Sequence, residues 1–146
     1  MHKDAPDRKY SVLIADDNQN NLRVLSSMLE QMGYRVRAAK SGELTLQSVA
    51  LEIPDIILLD IHMSGMDGYE VCRRLKKQDA YRDIPVIFVS ALSEMFNKQQ
   101  AFLAGGIDYI TKPFEMEEVQ LRVETHLRLR ENARQLQDAL DRLSRQ

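Results

Sequence analysis

Asp55-Ile56-Ile57-Leu58-Leu59-Asp60 sets four consecutive branched aliphatic side chains between two acids, and its reading decides the fold. A strand with one wet face alternates apolar and polar residues. An unbroken apolar run of this length belongs instead to a strand covered on both faces, as in a parallel sheet. Val86-Ile87-Phe88-Val89 repeats the pattern, so these two runs are expected to be central strands. Working outward, the apolar runs predict five strands, at Tyr10 to Ala15, Tyr34 to Ala38, Asp55 to Leu59, Pro85 to Ser90 and Ile107 to Ile110. Stretches of helical length separate them. Leu22, Leu25, Met28, Leu29 and Met32 recur at three- and four-residue intervals before Gly33, which can end a helix in the left-handed conformation. Further helices are expected at about Gly42 to Leu51, Gly68 to Gln78, Glu94 to Ala104, and from Glu115 onward. Such alternation predicts an α/β architecture, a doubly wound five-stranded parallel sheet, whose ligands gather at the carboxyl ends of the strands.

The 146 residues suffice for one domain with an extension. An apolar fraction of 44% and a charged fraction of 29% are those of a soluble globular chain. A formal charge of -2 leaves no electrostatic footprint for nucleic acid or an anionic membrane, so neither is an expected partner. Cys72 has no second cysteine to pair with and no His at ligand spacing, and reads as a buried helix residue. Met1 to Lys9 is polar and lacks the apolar core of an export signal, and nowhere do 18 apolar residues run together; a cytoplasmic location is expected. Met28, Met32, Met63 and Met66 read as packing residues, and His2, His62 and His126 form no metal set.

Asp16 and Asp17 directly follow the first apolar run and Asp60 follows the third, so the expected fold brings three acids to one edge of the sheet. Crowded carboxylates repel and hold protons more tightly unless a cation sits among them. Mg²⁺ suits such a set, since it binds through a few carboxylates, keeps water, and leaves positions for phosphate oxygens. Lys112 follows the fifth strand and brings a fixed positive charge; Ser90 ends the fourth and offers a hydroxyl. A carboxylate nucleophile so flanked has the parts that phosphoryl transfer needs. Taken singly, an Asp pair after a strand is more often a turn or a helix cap. The weight lies in the coincidence of Asp-Asp, Asp, Ser and Lys at four strand ends in that order.

These residues resemble the receiver domain of two-component response regulators over about Tyr10 to Leu127. Val12-Leu-Ile-Ala-Asp-Asp17 is similar to the family's acidic pair, which implies Asp17 as a direct metal ligand and Asp16 as one acting through water. Leu58-Leu-Asp-Ile-His-Met-Ser-Gly-Met-Asp-Gly68 resembles the loop around the phosphoacceptor, which makes Asp60 the phosphorylated residue and the His62 carbonyl a metal ligand. Phe88-Val-Ser-Ala91 resembles the segment supplying the phosphate-binding hydroxyl, Ser90, and a backbone amide, Ala91. Asp108-Tyr-Ile-Thr-Lys-Pro-Phe114 resembles the segment with the phosphate-binding lysine, Lys112, and the aromatic switch, Tyr109; the Lys112-Pro113 bond would be cis. The resemblance implies a flavodoxin-like fold, Mg²⁺ as cofactor, a histidine kinase or phosphotransfer protein as phosphoryl donor, and a signalling switch that catalyses only its own phosphorylation and dephosphorylation. It also implies that Tyr109 turns inward on phosphorylation and alters the face formed by the fourth helix, fifth strand and fifth helix. Ser64 stands where many members have proline and Gly106 where alanine is frequent, which puts loop stiffness and switching balance at issue, but not the chemistry.

From Glu115 the helical pattern runs to Gln146, about 48 Å at 1.5 Å per residue, longer than one domain helix needs. Leu129, Ala133, Leu136, Leu140 and Leu143 are spaced as a coiled-coil seam. The expected division is a flexible segment over 1–9, a receiver domain over 10–127 and a helical stalk over 128–146. The stalk is expected to form a parallel homodimer, alone or with the face already named, and to join the domain to an output domain. A solvated tail is the plain alternative for so few heptads. Three other functions compete. A metal-dependent phosphatase would want an acid two residues after its nucleophile, where His62 stands; a nucleotide or flavin module lacks a Gly-rich loop after Ala15; a bare dimerisation module would not need the five polar site residues.

Overall fold

A computed structural model describes residues 9–91 and 98–145. Five strands, β1 (Ser11–Ala15), β2 (Arg35–Ala39), β3 (Ile56–Asp60), β4 (Val86–Ala91) and β5 (Asp108–Lys112), alternate with α1 (Gln19–Gln31), α2 (Gly42–Leu51), α3 (Gly68–Lys76), α4 (Lys98–Ala104) and α5 (Met116–Ser144). All strand pairings are parallel, in the order β2-β1-β3-β4-β5, which puts β3 at the centre with β4 beside it. The expected α/β, doubly wound architecture is therefore found. Part of the fourth expected helix, 94–97, and positions 1–8 of the N-terminal segment lie outside the described residues.

The period of two along each strand splits the core into two layers. Ile57 and Leu59 of β3 join Leu13, Val86 and Phe88 on one face, against Val49, Val71, Cys72, Leu75, Ala101 and Ala104 of α2, α3 and α4. Ile56 and Leu58 join Val12, Ile14, Ile87, Val89 and Ile110 on the other, against Leu22, Leu25 and Leu29 of α1 and Val119, Val123 and Leu127 of α5. Met63 and Cys72 are buried, and Met28, Met32 and Met66 pack against these layers, as packing residues should.

Local signals set the helix ends. The side chains of Asn18, Ser41 and Asp67 accept from backbone N–H groups of the first turns of α1, α2 and α3, satisfying donors that a helix start leaves unpaired. Gly33 closes α1 at φ +96°, where a side chain would be strained. Strands run one residue or more past their apolar stretches, to Ala39, Asp60, Ala91 and Lys112, because ladder hydrogen bonds rather than hydropathy end a strand. Asp60, Ser90, Ala91 and Lys112 therefore sit on the last rungs of the sheet, and Asp16 and Asp17 directly follow the last residue of β1.

α5 is anchored where it passes the amino edge of the sheet. Arg122 holds both carboxylate oxygens of Asp108 at 2.9 and 3.0 Å, and His126 Nε2 lies 2.8 Å from the same carboxylate. One turn further, Arg130 donates to the carbonyl of Asp55 at 2.6 Å. Beyond Leu127 no described α5 residue is buried, and Leu129, Leu136, Leu140 and Leu143 stand exposed along the helix. No described helix is long and apolar enough to cross a membrane.

Candidate functional site

The register aligns Ala15 with Leu59, Asp60 with Val89, and Ala91 with Lys112, so the carboxyl ends of β1, β3, β4 and β5 form one rim. On this rim Asp16, Asp17 and Asp60 offer carboxylate oxygens that all lie within 4.8 Å of one another. Two of them are buried, Asp60 at 2% exposure and Asp16 at 4%, while Asp17 is exposed. Lys112, largely buried itself, places Nζ 3.1 Å from Asp16 Oδ2 and 3.6 Å from Asp60 Oδ2.

One ammonium does not balance this set. Asp16 Oδ1 accepts from the Asn18 N–H at 2.9 Å, and Asp17 Oδ2 accepts from the Ser64 N–H at 3.1 Å. Asp60 Oδ1 is buried with no hydrogen-bond partner among the described residues. An orphaned carboxylate oxygen in the interior is costly, and burial together with the Asp16 charge pushes the Asp60 carboxyl from 3.8 up to about 7, against the opposing pull of Lys112. This donor set of hard oxygens with an unsatisfied lone pair fits a small divalent cation with oxygen ligands.

The loop from Ile61 to Asp67 turns back tightly on β3. The Gly68 N–H donates to the Ile61 carbonyl at 2.9 Å, and a Cβ on Gly68 would lie 2.3 Å from the Asp60 carbonyl oxygen. Only glycine permits that approach. Ser64, the position where proline is frequent in the resembled family, uses its N–H on Asp17, a bond that proline could not make. His62 is exposed at the rim. Ser90 is buried at the end of β4, its hydroxyl 3.3 Å from the Ala91 carbonyl, and Ala91 is half-buried. The Lys112-Pro113 peptide is cis.

Tyr109 is set apart from this cluster. Three residues before Lys112, about 10 Å along the strand, it is half-buried against the α2–α3–α4 layer with the Arg122 guanidinium 5.9 Å over its ring. The sequence pointed to Asp16, Asp17, Asp60 and Lys112, which the fold brings together, and to Ser90 and Ala91, which it places on the same rim. It gave no sign of the Ser64–Asp17 bond or of the Gly68 approach. Both join residues close in space only after the loop has folded.

A sequence profile of the response regulator receiver domain matches residues 12–124. The chain is 43% identical over 116 residues to the heme response regulator HssR of Staphylococcus epidermidis, covering 80% of this chain and 50% of that protein. It is 40% identical over 104 residues to the response regulator PleD of Caulobacter vibrioides, covering 71% of this chain and 23% of PleD. Among solved structures, the signal receiver domain of a histidine kinase from Syntrophus aciditrophicus superposes with a TM-score of 0.74 at 33% identity, covering 81% of this chain and 89% of that one. The chain thus belongs to the receiver domains of two-component response regulators, a class of signalling domain with the flavodoxin-like fold described above. It spans half the length of HssR and less of PleD.

Proposed function

We propose that the domain accepts a phosphoryl group on Asp60 from the phosphohistidine of a histidine kinase or phosphotransfer protein, with Mg²⁺ as cofactor. The observation that carries this is the buried, unpartnered Asp60 Oδ1 beside two further carboxylates and one ammonium. An Asp60 oxygen attacks phosphorus, the P–N bond breaks as the P–O bond forms, and the imidazole leaves with the electron pair and takes up a proton. Asp16, Asp17, Asp60 and the His62 carbonyl would hold the metal. When bound, Mg²⁺ neutralises charge on the phosphoryl oxygens. Lys112 orients a second oxygen, and the Ser90 hydroxyl and Ala91 amide donate to a third. Besides its own phosphorylation and its reversal, the domain would catalyse nothing.

Phosphorylation then biases a two-state element, with Tyr109 turning inward as Ser90 is drawn toward the phosphate, and α4, β5 and α5 changing their common face. The exposed leucines of α5 support a stalk that dimerises in parallel and passes the change to an output domain beyond it. Incubation of the chain with acetyl phosphate and Mg²⁺, read by intact mass, tests the central step. A gain of one phosphoryl group that is lost with chelator and in Asp60→Asn is expected. Equal labelling of Asp60→Asn would overturn the assignment.

A further inference from the structure

A groove of about 880 Å³ lies at the amino edge of the sheet, on the side of the domain away from the carboxylate rim. One wall is α5 from His126 to Gln137; the other is the α3–β4 connection with the turn before β5. Pro85, Ile107, Leu129 and Ala133 give it an apolar lining, and Ile107 and Leu129 are exposed there. Lys76, Arg82, Arg130 and Arg134 also line it, against the single acid Asp83 among the described residues.

We propose that this groove is a docking site for an acidic amphipathic helix of another protein. The shape suits a helix: the α5 wall from His126 to Gln137 spans about 16 Å, room for a segment of about three turns. The charge decides which kind. Arg82 pairs with Asp79, and Arg134 lies 4.0 Å from Glu131, but both pairs are solvent-exposed and contribute little. Their guanidiniums can turn to incoming carboxylates at small cost. Arg130 is fixed on Asp55, whose carboxylate lies 3.8 Å away and offsets its charge, whereas the Lys76 ammonium, held by the carbonyls of Arg82 and Ile84, keeps positive charge at the groove floor.

A second copy of the chain fits less well. Its α5 would carry Arg128, Arg130 and Arg134 toward the same cations, and like charges oppose that contact. The leucines Leu136, Leu140 and Leu143 of the stalk lie beyond or at the end of the groove, so the two uses meet mainly at Leu129 and Ala133. Because one wall is the stalk helix, a bound partner would also report on the angle at which α5 leaves the domain.

The full chain, labelled with ¹⁵N, would be titrated with a helical peptide of about 12 residues. Leucines spaced four and three residues apart would form one face of the peptide, with glutamates flanking it. Saturable shifts are expected in Ala80 to Ile84, Gly105 to Ile107 and Leu129 to Gln137. Affinity should fall with salt, and by about tenfold or more in Arg82→Glu/Arg134→Glu, whose exposed positions leave the fold intact. A version of the peptide with lysine for glutamate should not bind. The proposal is overturned if millimolar peptide produces no saturable shift, if shifts map to α4 instead, or if either control binds as well as its parent. It is also overturned if, without peptide, the Ala80 to Ile84 and Gly105 to Ile107 resonances of the wall opposite α5 shift with protein concentration, as a second copy seated in the groove would make them.

Discussion

Replacing Asp60 by Asn should make the metal-free protein more stable, although it removes the residue on which the chemistry turns. In the folded chain burial and the Asp16 carboxylate raise the Asp60 carboxyl from 3.8 to about 7. The unfolded chain therefore loses its proton first as pH rises, and the folded state carries a growing penalty between these two values. Below about pH 4 both states are protonated and the penalty is absent. Above about pH 7 it is complete, and at 1.36 kcal/mol per pH unit it reaches at most about 4 kcal/mol. The carboxamide of the Asp60→Asn variant cannot ionise, and Lys112 retains Asp16 at 3.1 Å as its partner, so little is lost in exchange. Urea unfolding in chelator is expected to find the variant more stable than the parent at about pH 8, by up to about 4 kcal/mol, with the two converging near pH 4. Adding Mg²⁺ should reverse the order, since the parent gains a ligand that the variant has lost. A variant that is less stable in chelator at pH 8, or a parent whose pH profile the variant copies, would refute the electrostatic account of the rim.

The neighbouring residues give separate outcomes. Lys112→Met leaves Asp16 and Asp60 without their ammonium, so the metal-free protein should lose about 3–5 kcal/mol at neutral pH, while Mg²⁺ titration shows tighter binding and acetyl phosphate labelling slows. Gly68→Ala drives a methyl group into the Asp60 backbone and should cost about 3 kcal/mol in thermal or urea unfolding, with weakened phosphate acceptance as the loop shifts. Ser64→Pro removes the N–H that Asp17 accepts, and should weaken Mg²⁺ binding as read by calorimetry, with little change in stability at this exposed loop position. Leu136→Lys with Leu143→Lys should leave the receiver fold unchanged and shift sedimentation toward monomer; an unchanged dimer would place the contact elsewhere.

The fold was legible where hydropathy and covalent order carry the information. Ile56 to Leu59 announced a strand covered on both faces, and the parallel sheet then required Asp16, Asp60, Ser90 and Lys112 to share a rim, since each adjoins the carboxyl end of its strand. Which face each residue takes was not legible. Ile56 and Ile57 are the same residue type, yet one packs on α1 and α5 and the other on α2, α3 and α4. The contacts that tune the site were equally hidden. Ser64 reaches Asp17 across 47 positions and Arg130 reaches Asp55 across 75, and such pairs have no periodicity to reveal them. The groove beside α5 arises from the same cause: the sequence marked a long helix, but its far wall comes from a connection about 50 residues earlier in the chain.

The most direct measurement is chemical trapping of the phosphorylated residue. Borohydride reduces an aspartyl phosphate to homoserine, and peptide mapping then reports its position in the chain. After incubation with a phosphoryl donor and Mg²⁺, homoserine is expected at position 60 and absent when chelator is present. Homoserine at Asp16 or Asp17, or an unmodified Asp60 in a protein that has gained phosphate, would contradict the account.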